Sequence, residues 1–214
     1  GRLTEELGKD DRFLVHGLDV DEDNIATARD YLSDLGVYGQ VSVSVFDGKR
    51  LPYADNLVNL IVAESPIDVS EEELLRVLAP FGMAMIKTGG QWRKIKPRPD
   101  EMDEWTHFLH AADGNAVSSD RQVGRPESLR WLDDPAFSRH HDEVLALSAM
   151  VTGGGRIFSI VDEAPRATFH STIGGNFFLI ARDAFNGLVL WKKPIEDWGW
   201  PSWGEQQKMG VRPA

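Results

Sequence analysis

The sequence predicts a two-part chain, an α/β segment built on a parallel sheet followed by an all-β segment of four strands. Three observations carry that prediction. Between Phe13 and Gly90 short apolar runs alternate with amphipathic helical stretches, the pattern of strands covered by crossover helices. After about Val144 four apolar runs are divided by Gly-rich or polar turns, the pattern of antiparallel strands. Between the two, residues 94–99 are basic and proline-rich, and the strand–helix alternation stops near Gln91. The expected organisation is an α/β domain over residues 1–92, an irregular connector over 93–143 and an all-β segment over 144–214.

Taken in order, Phe13-Leu14-Val15-His16-Gly17-Leu18 reads as a buried strand ending at Asp19. Asp21 to Asn24 supply the acidic start of a helix, where carboxylates complement its exposed N–H groups. Ile25, Ala28, Leu32 and Leu35 recur at helical spacing, and Gly36 stops the helix as a left-handed C-cap residue. Val41, Val43 and Val45 alternate with serines before Asp47-Gly48, and Leu57 to Ala63 follows as an apolar strand; both are expected in one sheet. Ser70 and Glu73 form a capping-box pattern for a helix that carries Leu74, Leu75, Val77 and Leu78 and ends at Pro80. Residues 82–87 form the next strand, and one short helix is expected in the connector at 101–109. The late strands are expected at 145–151, 156–161, 177–182 and 188–192, with Asn186-Gly187 as a hairpin turn.

Composition excludes several classes. A formal net charge of −11 argues against a general nucleic-acid binder, whose phosphate affinity rests on clustered Lys and Arg. Cysteine is absent, which removes disulfides, thiolate metal sites and a cysteine nucleophile. No run approaches the roughly 18 apolar residues of a membrane-spanning helix. Hydrophobic residues at 42% and charged residues at 27% lie in the ordinary globular range, which leaves disordered and fibrous readings without support.

Asp19 and Asp47 end two strands on the edge where open α/β folds bind ligands. An acidic side chain there accepts two hydrogen bonds from a ribose diol, and Gly48 lets backbone approach a ligand closely. The pair could bracket an adenosine; the plainer alternative makes both strand-end turn formers. Together Val15-His16-Gly17-Leu18-Asp19-Val20-Asp21, Asp47-Gly48, Leu51-Pro52-Tyr53-Ala54-Asp55 and Val77-Leu78-Ala79-Pro80-Phe81-Gly82 resemble a class I S-adenosylmethionine-dependent methyltransferase over roughly residues 10–90. The resemblance implies an α/β Rossmann-like partial domain with S-adenosylmethionine as the cofactor of the intact protein. It implies ribose binding at Asp19 and adenine contact around Asp47, with Val20 and Gly48 completing the cofactor-binding set. It also implies a glycine-rich loop about 20 positions before Asp19, ahead of Gly1, and a first strand at the sheet centre. The chain therefore reads as an internal fragment, expected to bind nucleoside poorly and to expose apolar edges. No catalytic residue is identified, and the last two strands of that fold are not expected after Lys87.

In the connector Glu104, His107 and His110 stand three apart, so a helix would put them on one face. Imidazole and carboxylate there could hold a divalent metal such as zinc, completed by His140-His141-Asp142. The spacing matches no named zinc motif, so the preferred reading is hydrogen bonding that ties an irregular segment together around Trp105 and Trp131, and no metal is assigned.

Ala181-Arg182-Asp183-Ala184-Phe185-Asn186-Gly187-Leu188-Val189-Leu190-Trp191 is similar to the Ala-x-Asp-x-x-Thr-Gly-x-x-x-Trp docking motif of quinoprotein-like β-propellers, with Asn186 where Thr is usual. The resemblance implies one propeller blade over roughly residues 144–193, with Gly187 making the turn and Trp191 packing between adjacent blades. Pyrroloquinoline quinone is not expected to bind this segment. The order of methyltransferase-like domain, Asp103-Glu104-Trp105-Thr106-His107 connector and propeller also resembles multidomain bacterial proteins of planctomycete type. Three functions stay open. The first is nucleoside binding by the front domain, with the propeller recruiting a substrate or protein partner. The others are a non-enzymatic propeller scaffold at the cell envelope and a quinone-dependent oxidoreductase. A working methyltransferase implies the cytoplasm; a signal peptide upstream would imply the periplasm or envelope.

Overall fold

The computed structural model describes residues 1–87, 90–125, 129–134, 147–164, 175–196 and 198. The chain divides into two compact units, Gly1–Pro97 and Arg98–Ala214, so the stretch read as a connector is built mostly into the second. The first unit runs α1 (Arg2–Leu7), β1 (Val15–Asp19), α2 (Glu22–Asp34), β2 (Val41–Val45), β3 (Val58–Ala63), α3 (Glu71–Val77), β4 (Leu78–Lys87) and β5 (Gln91–Ile95).

α2 begins where the acidic run places it. The Asp21 carboxylate accepts the N–H groups of Asp23 and Asn24, donors that a first helical turn otherwise leaves open. Gly36 ends it at φ +70°. Its stripe of Ile25, Ala28 and Leu32 packs on Val15, Val41 and Val43. β1 and β2 pair in parallel, Val15 opposite Val41 through Asp19 opposite Val45.

β2 and β3 do not share a sheet, contrary to expectation. β1 and β2 form one two-stranded sheet; β3, β4 and β5 form another, parallel between β3 and β4 and antiparallel between β4 and β5. No described strand lies between β1 and β3, so the ladder of backbone bonds is interrupted there. One apolar layer nevertheless serves both sheets: Leu18 and Phe46 pack on the cluster of Leu51, Val69, Leu74, Val77 and Ile86.

Ser70 Oγ caps α3 by accepting the Glu73 N–H at 3.2 Å. The helix stops at Val77, earlier than the expected Pro80, because burial of Leu78 and Ala79 draws them into β4 opposite β3. Pro80 lies in the register shift between the Val58–Leu78 and Leu60–Met83 pairs, where a missing N–H is tolerated. Gly82 closes that bulge: a Cβ there would stand 2.8 Å from the Ala79 carbonyl and 2.9 Å from that of Val58. β5 is a strand the sequence reading missed, a correction to the expectation that none follows Lys87. Its cationic residues hid it: Trp92 packs on the core while Lys94 pairs with Glu71 at 2.7 Å.

The second unit holds an antiparallel meander, β6 (Leu147–Gly153), β7 (Arg156–Asp162), β8 (Phe177–Asp183) and β9 (Val189–Pro194), in that spatial order. Gly154 and Gly155, both at positive φ, form the β6–β7 turn, which demands left-handed residues. The β8–β9 turn is wider than a two-residue Asn-Gly hairpin. Asp183 Oδ1 accepts the N–H groups of Phe185 and Asn186, and Gly187 at φ +78° donates to the Asp183 carbonyl at 3.0 Å.

The helix expected at 101–109 does not form; turns and a His107–His110 bridge stand there. Side chains capture the amides a helix would use. Asp103 N–H goes to Asp120, Glu104 N–H to Asp103, and Trp105 N–H to Thr152 Oγ1. Thr152 N–H returns to the Trp105 carbonyl at 2.7 Å, so this segment is stitched to β6. The Trp131 indole lies against Gly187, and the buried Arg182 guanidinium pairs with Asp133 and donates to the carbonyls of Asp134 and Gly187. No described helix is long and apolar enough to cross a membrane.

Candidate functional site

The carboxyl ends of β1 and β2 meet where the Phe46 N–H donates to the Asp19 carbonyl at 3.0 Å. Asp19 is fixed in place: Oδ1 accepts the Asp21 N–H at 3.0 Å and Oδ2 accepts Asn24 Nδ2 at 3.2 Å. Asp47 Oδ1 accepts the N–H groups of Lys49 and Arg50 at 2.8 and 2.7 Å. Those two donors hold its carboxyl below the ordinary range, so it stays ionised at neutral pH. Gly48 turns at φ +81°, and a Cβ there would lie 3.1 Å from Val20 Cγ1. Asp19, Val20, Asp47 and Gly48 thus share one sheet edge, two carboxylates beside an apolar lip.

A cleft of about 440 Å³ opens between α1, α2 and β1, lined by Gly1, Thr4, Gly17, Asp19, Asn24 and Tyr31 among others. A Cβ at Gly17 would crowd this wall, standing 3.1 Å from both Thr4 Oγ1 and Val43 Cγ1. Asp19 belongs to both the cleft and the sheet edge, whereas Val20, Asp47 and Gly48 lie outside the cleft lining.

A second group was not singled out by the sequence reading. His16 Nδ1 stands 2.9 Å from the Tyr53 hydroxyl and Nε2 stands 3.0 Å from Ser44 Oγ. Burial lowers the imidazole's proton affinity and pushes the phenol up to about 12, so both are neutral at neutral pH. The loop carrying Tyr53 is held from α3. Arg76 donates to the carbonyls of Leu51 and Tyr53 and to Asp55, and Glu73 accepts from Arg76 and from the Leu51 N–H at 2.8 Å. The signal was the alternation of β2, which pairs Ser42 with His16 and puts Ser44 one step further along the same face.

Glu104, His107 and His110 do not converge. His110 Nε2 pairs with Asp103 Oδ2 at 2.7 Å, His107 Nδ1 lies 2.9 Å from Thr106 Oγ1, and Glu104 Oε1 accepts the Gly154 N–H at 2.7 Å. Among the described residues no group of three His, Asp or Glu side chains is placed to hold a metal. His140, His141 and Asp142 lie outside the described residues.

No protein-family model matches the chain. The ubiquinone/menaquinone biosynthesis C-methyltransferase UbiE of Hydrogenovibrio crunogenus is 28% identical over 90 residues, covering 39% of this chain and 35% of that protein. The crystal structure of the 4+2 cyclase SpnF aligns with a TM-score of 0.35 and 28% identity, over 38% of this chain and 32% of that one. The chain spans about a third of the length of each. At the level of this sequence similarity, part of the chain is methyltransferase-like.

Proposed function

We propose that the first unit is the nucleoside-holding part of a Rossmann-type methyltransferase-like domain that takes S-adenosylmethionine or its demethylated product. The observation that carries this reading is Asp19, anchored at the end of β1 by one backbone and one side-chain donor. A carboxylate offers about four acceptor sites, so two remain for a ribose diol. Asp47 and the Val20–Gly48 lip stand beside it for the base, and Gly48 leaves room that a side chain would close. The donor set suits a ligand without phosphate, since the carboxylates would repel one. S-adenosylmethionine would supply an electrophilic methyl group; the residues here bind and orient its nucleoside half. Methyl transfer by the whole protein further calls for a strand and glycine-rich loop seated between the open edges of β1 and β3. Binding of S-adenosylhomocysteine, followed by amide shifts at Asp19, Val20 and Gly48, tests the reading. Shifts confined elsewhere, or none at millimolar ligand, would remove it.

One observation favours a second reading. Leu188, Val189, Leu190 and Trp191 run exposed along β9 and the turn before it. In that reading the meander is a propeller blade that recruits a protein partner, and the protein is a non-enzymatic scaffold.

A further inference from the structure

We propose that His16 is a positioning residue for the carboxylate edge: the hydrogen-bonded chain Ser44–His16–Tyr53, anchored by the Arg76–Glu73 pair, braces the β1–β2 sheet against α3. Its ligand readout rests on the nucleoside reading above; the brace itself rests on geometry alone. Three side chains from β1, β2 and the following loop meet within 3.0 Å at a place where backbone bonds do not join the two sheets. Arg76 and Glu73 then read the backbone of that same loop at Leu51 and Tyr53. The chain of contacts therefore runs from α3 to both strands that carry Asp19 and Asp47 at their ends.

Proton placement follows from the partners. With the phenol donating, Nδ1 of His16 accepts from Tyr53 and the Nε2–H donates to Ser44 Oγ. Protonating Nδ1 makes it a donor, so the Tyr53 hydroxyl hydrogen must rotate away and its oxygen accept instead, which leaves the cation with only neutral partners, Tyr53 and Ser44. The titratable and charged groups around the ring are few. The loop brings Tyr53 and Asp55, α3 brings Glu73 and Arg76, and β2 brings the neutral Ser44; Asp55 and Glu73 both pair with Arg76. No carboxylate contacts the ring among the described residues, so an imidazolium would have no counterion there.

The experiment uses the whole chain, with Tyr53→Phe and His16→Gln as variants. Hydrogen exchange at β1 and β2 amides and S-adenosylhomocysteine binding are both followed between pH 5 and 8. With the base-catalysed intrinsic rate divided out, protection of β1 and β2 amides in the parent should fall as pH falls; Tyr53→Phe should flatten that dependence and lower protection about fivefold at pH 7.5, the size of one lost hydrogen bond. His16→Gln, whose amide can donate and accept, should restore slow exchange and remove the pH dependence. Nucleoside affinity should follow the same profile. Exchange unchanged in Tyr53→Phe, or an equal pH profile in His16→Gln and parent, would overturn the brace. Absence of nucleoside binding at every pH with the exchange results intact would sink the nucleoside reading and leave the brace standing.

Discussion

Replacing Gly187 with alanine should cost the second unit more than a left-handed alanine does elsewhere. Gly187 sits at φ +78°, where a Cβ-bearing residue loses about 1–2 kcal/mol. A Cβ there would also stand 2.3, 2.5 and 2.8 Å from Cδ2, Cε3 and Cγ of the Trp131 indole, so the ring must leave. Half-buried as it is, its displacement adds about 1 kcal/mol of lost apolar contact. The total expected for Gly187→Ala is about 2–3 kcal/mol. In a Trp131→Ala background the clash is already gone, and the same change should cost only the backbone part, about 1–2 kcal/mol. Urea unfolding of the four proteins of this double-mutant cycle, followed by far-ultraviolet circular dichroism, gives both numbers. Equal costs in the two backgrounds would refute the Trp131–Gly187 contact.

Other predictions can be checked alongside. Arg182→Leu strands the Asp134 and Gly187 carbonyls and the Asp133 carboxylate, and should destabilise the second unit by about 2–3 kcal/mol in the same urea assay. Leu32→Ala opens a cavity under α2 and should cost the first unit about 2–5 kcal/mol by thermal unfolding. Glu73 is held at about 2, chiefly by Arg76, so its contribution is present above its ordinary value of 4.5 and fades as pH falls from there toward 2. In an acid titration Glu73→Gln should be less stable than the parent at pH 7, and the gap should shrink across that window. His16 has the same sign for a different reason. Its affinity for a proton is lowered by burial, so the unfolded chain protonates first and stability falls as pH drops below 6.5.

Local patterns were legible where one physical cause decided the outcome. The acidic run at Asp21 predicted the start of α2 because capping is a contact between neighbours in sequence, and Gly36 predicted its end for the same reason. The four strands of the second unit lie within about two residues of their expected positions, since alternation and Gly-rich turns are local too. The failures are tertiary. The helix expected at 101–109 lost its amides to Asp103, Asp120 and Thr152, partners that no spacing rule reveals. α1 and β5 went unseen, one because six residues give fewer than two turns of periodicity, the other because Arg93 and Lys94 looked like a linker. At the site, Asp19 and Asp47 were readable as strand ends. The His16–Tyr53 contact joins residues 37 apart and was not readable.

Whether Asp19 anchors a nucleoside at the end of β1 is decided by calorimetric titration of S-adenosylhomocysteine into the whole protein and its Asp19→Ala variant. Saturable binding to the parent is expected, with a loss of at least tenfold in the variant that corresponds to the two ribose hydrogen bonds removed. Equal affinity in both proteins, or no heat from a folded parent, would contradict it.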